Sequence, residues 1–201
     1  SVPLFVEFLE LIEGLEQSTG KKIGIYPEIK APVLHQENNL PIVEKTIELL
    51  DNFGYREKLD YIFLQCFDHN TLLRLKNEIQ VPYPLIQLVG DNVWSQPSSE
   101  FDAIKAAEAI AEISGYAVGV GPPINQIVDE NGQQTTFHNL LKQSGLLIHP
   151  YTAREDDLPA FADTLHALFQ ILFQRLDVDG VFTDFPDIGV KFLHGLDDSG
   201  I

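Results

Sequence analysis

The sequence predicts an α/β protein whose strands pair in parallel, and three observations carry that prediction. Six short apolar runs, centred near residues 26, 64, 87, 118, 148 and 182, alternate with segments of helical period. Strands that are apolar throughout and joined by helices are the pattern of parallel pairing with helical crossovers. The runs recur about every 30 residues, the length of one βαβ unit. No glycine-rich turn of the phosphate- or dinucleotide-cradling kind follows any of them. A (βα)8 barrel, the TIM architecture, therefore fits better than a doubly wound sheet, although six units fall two short of eight. Residues 1–201 are expected to form a single domain.

The elements follow in order. Phe5, Phe8, Leu9, Ile12 and Leu15 keep a helical period, with Ser1 as an N-cap, Pro3 in the first turn and Gly20 as the stop. This abrupt start leads to the expectation that the chain begins inside a larger fold. The first strand, Ile23 to Pro32, carries Glu28 and Lys30. A loop with His35 and Asn38-Asn39 leads to Pro41, and a helix through Val43, Ile47, Leu50 and Phe53 ends at Gly54. Tyr61 to Phe67 reads as a strand, and Asp68 caps a helix through Leu72, Leu75 and Ile79. Leu85 to Val89 is a strand. A loop with Asp91, Trp94 and Pro97-Ser98-Ser99 follows, and then a helix from Phe101 to Ile113. Tyr116 to Val120 is the fourth strand, and Asp129-Glu130-Asn131-Gly132 is a hairpin-like tip. A helix through Phe137, Leu140 and Leu141 stops at Gly145 before the strand Leu146 to Tyr151. One long helix with Leu158, Phe161, Leu165, Leu168 and Leu172 on a single face is expected next. The strand Gly180 to Thr183 and a short helix ending near Leu193 close the series.

Composition narrows the function. A hydrophobic fraction of 44% with 10% aromatics belongs to a folded domain. Thirty acidic residues against 13 basic ones give a net charge of -17, which repels phosphate backbones and argues against nucleic-acid binding. The same charge suits a protein that gathers divalent cations, although most of it is solvated surface. The single cysteine, Cys66, excludes an intramolecular disulfide and a thiolate metal site; its apolar setting makes it a core residue rather than a nucleophile. There is no apolar run of about 18 residues, hence no membrane-spanning helix. A signal-peptide pattern is also absent from these residues.

Function concentrates at the C-terminal strand ends, where barrels of this type place their sites. Glu28 and Lys30 stand two apart on a strand, so their side chains share a face. Two buried charges need partners or a metal, and the pattern alone leaves a structural ion pair open. The remaining ends supply Gln65 and Phe67, Gln87, Gly119 and Gly121, His149 and Tyr151, and Thr183, Asp184 and Phe185. A polar ring with aromatic walls suits a small polar ligand. Each member has a plainer reading: Gln65 as a buried amide, His149 as a core histidine, Asp184 as a helix cap. A Schiff-base role for Lys30 is disfavoured, because Glu28 beside it keeps the ammonium protonated.

At this point four segments resemble the glycerophosphodiester phosphodiesterases, most of all their periplasmic bacterial branch. They are residues 18–32 with Glu28 and Lys30 in a Glu-x-Lys motif, Leu64-Gln65-Cys66-Phe67-Asp68, His149-Pro150-Tyr151-Thr152, and residues 180–186. The resemblance implies a TIM (βα)8 barrel and hydrolysis of a glycerophosphodiester to glycerol 3-phosphate and an alcohol. It also implies a divalent cation, with calcium first and magnesium second. It makes Glu28 a metal ligand, Lys30 a phosphate contact, and Gln65, Phe67, His149, Tyr151 and Phe185 substrate-site residues. The physics agrees, since a hard cation takes carboxylate oxygens and an anionic diester takes a cation.

The family's His-Arg-Gly, Pro-Glu-Asn-Thr and His-Asp segments do not occur in these 201 residues, and no Glu-x-Asp stands ahead of the Glu28 strand. None of the six histidines is followed by Arg or Asp. The expectation is therefore the third to eighth βα units only, a C-terminal portion with no catalytic histidine of its own. Such a portion would be inactive alone and would need its N-terminal segment as partner. Open barrel edges would favour self-association into a homo-oligomer. A degenerate barrel that binds phosphate esters weakly or not at all is the alternative. Periplasmic localisation follows from the resemblance only.

Overall fold

The computed structural model describes residues 2–90 and 106–198, the last three by backbone alone. The expected N-cap Ser1, the loop of Asp91, Trp94 and Pro97–Ser99, and the expected helix start at Phe101 lie outside the described residues. The chain divides into two compact units, Ser1–Ile86 and Gln87–Ile201.

The first unit opens with α1 (Phe5–Thr19), which buries Leu9 and Ile12. Pro3 lies ahead of this helix rather than in its first turn. The Leu4 N–H donates to Glu7 Oε2 at 2.6 Å, a carboxylate held where the helix dipole favours it. Gly20 ends the helix at φ 68°, a conformation that L side chains resist, and its N–H donates to the Glu16 carbonyl. The segment after it is extended, forming parallel bridges from Ile25 to Ile62 and from Glu28 to Gln65. The loop expected around His35 contains a short helix, α2 (Pro32–Glu37), because Pro32 is preset for a first helical position. Then α3 (Ile42–Asn52) buries Val43, Ile47 and Leu50 at the predicted spacing.

The strand expected from Tyr61 to Phe67 is shorter, β1 (Leu64–Cys66), since Tyr61 still belongs to a 3-10 turn. Asp68 caps α4 (His69–Arg74) as predicted, its carboxylate accepting from the Thr71 N–H at 2.7 Å. A wider, π-type turn over Leu75–Ile79 continues it. The Leu64 N–H donates to the Pro84 carbonyl just before β2 (Leu85–Leu88), the strand in which the division between units falls. Leu9, Leu50, Leu64 and Leu72 are fully buried, and each such leucine contributes roughly 1.5–3 kcal/mol.

In the second unit, α5 (Ala107–Ile113) leads to β3 (Gly119–Gly121), and the Val89 N–H donates to the Gly121 carbonyl. A short α6 (Ile124–Ile127) precedes the hairpin-like tip, where Asp129 Oδ1 accepts from the N–H groups of Asn131 and Gln133. Then come α7 (Thr136–Ser144) and β4 (Leu147–Ile148). Strand β4 lies parallel to β3, with Gly119 opposite Leu147 and Val120 opposite Ile148. Parallel bridges extend this pairing from Pro123 to Tyr151 and from Ala153 to Thr183. The expected strand Gly180 to Thr183 is thus reduced to a single bridge.

The long helix expected from Leu158 onward starts later, as α8 (Leu165–Phe169) followed by a π-type turn, Gln170–Arg175. Pro159 cannot donate a helical hydrogen bond, and two acceptors fix the later start. Thr164 Oγ1 takes the Ala167 N–H, and Glu155 Oε2 takes the Leu165 N–H. The final helix α9 (Pro186–Asp198) is longer than expected. Its Phe192 ring lies 5.5 Å from Phe169 and 5.9 Å from Phe173, a packed aromatic cluster against α8 and its following turn.

Candidate cation and phosphate site

The extended segment before α2 shows two faces. Ile25 and Ile29 are buried on one, as are Leu64 and Cys66 of the neighbouring strand. Tyr26, Glu28 and Lys30 occupy the other, in the alternation that strand geometry imposes. Opposite them on the same face stand Phe63, Gln65 and Phe67. The pairing is direct at two levels. The Tyr26 and Phe63 rings lie 5.2 Å apart, and Glu28 is the bridge partner of Gln65. Backbone bonds fix that register: the Ile29 N–H donates to the Gln65 carbonyl at 2.9 Å, and the Gln65 N–H to the Pro27 carbonyl at 3.0 Å.

Glu28 is half-buried, and this burial raises its pKa above the ordinary carboxylate value, with Lys30 pulling the other way. Lys30 is exposed at the end of the row. Gln65 is 7% exposed, and its Oε1 has no hydrogen-bond donor. A buried acceptor left without a donor costs roughly 1–3 kcal/mol, so this amide needs an explanation. Among the described residues no group of three or more His, Cys, Asp or Glu side chains could hold a metal ion. The cation donors present here are one carboxylate and one amide oxygen, both of the hard type that calcium and magnesium take. Cys66 is the predicted core residue: its thiol donates to the Ile29 carbonyl at 3.1 Å, and burial pushes its pKa up.

The candidates of the second unit are more structural. His149 is buried at 6% exposure, and its ring lies against Gly180. Burial lowers its pKa, opposed by the Asp179 carboxylate, so the ring stays neutral at neutral pH. Tyr151 is half-buried, and its hydroxyl donates to the Val89 carbonyl at 2.6 Å. That bond leaves the ring as wall. Phe185 is half-exposed, its N–H donating to Thr183 Oγ1. Gln87 departs from the expected ring. Its amide sits in the core, accepting from the Tyr116 hydroxyl at 2.8 Å and donating to the Leu88 carbonyl. Asp184 does not cap α9; it pairs with Arg154 Nη1 at 2.9 Å.

Arg154 is the residue that sequence reasoning passed over. It also grips Asp156 through two nitrogens, at 3.1 and 2.8 Å. The only available signal was its place, three residues beyond Tyr151. A cavity of about 730 Å³ lies in the first unit between α2, the start of α3 and α4, lined by Pro32, Leu40, Glu44, Asp68 and Arg74 among others. None of Glu28, Lys30, Gln65 or Phe67 lines it, so it is distinct from the candidate site.

Comparison with known proteins decides the family. Residues 1–188 match the glycerophosphoryl diester phosphodiesterase family. The chain belongs to that family. A glycerophosphodiester phosphodiesterase of Haemophilus influenzae is 38% identical over 96% of the chain and 58% of its own length. One from Treponema pallidum is 34% identical over 94% of the chain and 59% of its own length. The chain thus spans little more than half the length of these relatives. Among solved structures, a glycerophosphodiester phosphodiesterase from Parabacteroides distasonis superposes with a TM-score of 0.60 at 13% identity. That alignment covers 96% of this chain and 64% of the other. A protein of Silicibacter pomeroyi superposes with a TM-score of 0.65 at 17% identity, over 96% of this chain and 57% of the other. At such identities the likeness speaks for the barrel-type α/β fold alone, which agrees with the parallel pairing predicted from sequence.

Proposed function

We propose that this chain forms the cation- and phosphate-binding side of a glycerophosphodiester phosphodiesterase, an enzyme that hydrolyses glycerophosphodiesters to glycerol 3-phosphate and an alcohol. Family membership over residues 1–188 carries this reading. The same-face placement of Glu28, Gln65 and Lys30 supports it. Glu28 would hold a divalent cation, calcium or magnesium, which supplies charge neutralisation at the phosphodiester when bound. Lys30, exposed at the end of the row, meets a phosphate oxygen as a point charge. Phe67, on the same face as Gln65, walls the glycerol end, and Tyr151 and Phe185 are substrate-site residues by the resemblance alone. The two histidines that the resemblance calls for as acid and base are not among these residues. The reaction as proposed draws them from chain outside this stretch, with the stretch itself supplying the third to eighth barrel units. Periplasmic placement belongs to the same proposal.

The second reading, a barrel that binds phosphate esters weakly without turnover, is favoured by one observation. A single acidic ligand stands where the family's cation takes three. Calorimetry with glycerol 3-phosphate, with and without calcium, separates the two. The proposal expects calcium-dependent binding by the 201-residue chain and no hydrolysis of glycerophosphocholine. Absence of binding favours the second reading, and robust turnover by this chain alone would overturn the assignment of proton transfer to outside groups. Self-association is proposed as well, since Leu4 (64%), just ahead of α1, and Leu11 (58%), on it, are exposed to solvent. Sedimentation of the purified chain as a single monomeric species would remove it.

A further inference from the structure

We propose that Gln65 is a second protein ligand of the cation held at Glu28, through its side-chain Oε1, while its Nε2 remains available to donate to the phosphate. The inference rests on the proposed function and extends it to a residue whose neutral side chain gives no sequence signal for metal binding.

Three observations converge. Glu28 and Gln65 are partners in one parallel bridge, and side chains of bridge partners leave the sheet on the same face. The Tyr26–Phe63 ring pair, one step back along both strands, shows that face is shared, with 5.2 Å between the rings. Gln65 is more than nine-tenths buried, and Oε1 lacks a donor. An amide has one acceptor oxygen and two donor hydrogens. The atom left without a partner is the acceptor, the kind that a hard cation takes in company with a carboxylate. A neutral oxygen beside Glu28 also adds a ligand without adding charge, which suits a site that must still admit an anionic diester.

The test is terbium luminescence, with Tb³⁺ as the calcium stand-in and Tyr26 as the sensitiser two positions from Glu28 on the same strand face, followed by calcium competition. The 201-residue chain is compared with Gln65→Glu, Gln65→Met and Glu28→Gln. The expected pattern is calcium affinity about tenfold tighter in Gln65→Glu and about tenfold weaker in Gln65→Met. In Glu28→Gln, binding should be lost. Circular dichroism and melting temperature establish that each variant is folded. If Gln65→Met fails to fold, Gln65→Asn, which keeps the amide but draws its oxygen back by one methylene, takes its place and is likewise expected to weaken calcium about tenfold. Loss of binding in Glu28→Gln, with wild-type affinity in both Gln65 variants, overturns this inference and leaves the proposed function standing. A wild-type chain with no sensitised emission and no calcium competition overturns the cation site itself.

Discussion

The His149 ring lies against Gly180 so closely that a Cβ on that glycine would stand 3.0 Å from the ring Cδ2 and 3.4 Å from Nε2. A side chain there would force the ring to give by a few tenths of an ångström. Just ahead of it, Asp179 Oδ2 accepts the Ile148 N–H at 2.9 Å, and its carboxylate charge acts on the same histidine. Strand β4 and the residues around 180 are therefore joined through one side chain and one missing side chain. Gly180→Ala is expected to displace the ring and to destabilise the chain by roughly 1–3 kcal/mol, the usual penalty for overpacking. Urea unfolding of the two proteins checks this. A loss of only a few tenths would show that the ring yields freely.

His149 also makes stability depend on pH. Burial holds its folded-state pKa below the ordinary value of 6.5. Its contribution is therefore full above the unfolded-state pKa and is lost as pH falls below it, since the unfolded chain binds the proton more readily. Melting temperature should decline between pH 7 and pH 5 more steeply in the wild type than in His149→Gln. Parallel curves would mean that the histidine titrates freely in the folded chain.

Glu28 behaves in the opposite sense. Its raised pKa means that the folded chain favours the protonated form, so stability is lost as pH rises through the folded-state value. Without a cation, Glu28→Gln should raise the melting temperature by a few degrees at pH 7, with the gain shrinking at pH 4. Calcium should stabilise the wild type and leave the variant unmoved. A variant less stable than the wild type at pH 7 would show that the carboxylate is already well paired.

Lys30 contributes charge to ligand binding and little to the fold, because it is exposed. Lys30→Ala is expected to weaken glycerol 3-phosphate roughly tenfold, the worth of one charge-assisted hydrogen bond. Calcium affinity should change far less. Calorimetry with each ligand in turn distinguishes the two effects, and equal losses in both would place Lys30 at the cation instead.

Asp68 closes the buried N-terminal end of α4 by accepting the Thr71 N–H. Asp68→Ala is expected to cost about 1 kcal/mol in chemical unfolding, the typical loss of an N-cap. Retained cation and phosphate binding in that variant would separate its structural part from the neighbouring site.

Much of this was legible along the chain. The Glu28, Lys30 and Gln65 positions, the Asp68 cap, the stop at Gly20 and the core place of Cys66 all follow from local rules: period-two alternation, capping chemistry, apolar neighbours. The long helix from Leu158 was misread because apolar spacing continues through Pro159, whereas the backbone cannot donate there and Thr164 and Glu155 cap a later start. Gln87 was misread because a strand-end amide looks the same in sequence whether it faces a ligand or the Tyr116 hydroxyl.

The sequence by itself determined the fold class, the family and the residues that carry charge on the first strand, since each depends on a pattern within one segment. Tertiary structure alone decided which buried polar atom beside them lacks a partner. The register that sets Glu28 beside Gln65, the burial that leaves Oε1 without a donor, and the close contact at Gly180 all join residues more than 30 positions apart. Such pairings depend on how strands align across the sheet, and no periodicity along a single segment encodes them.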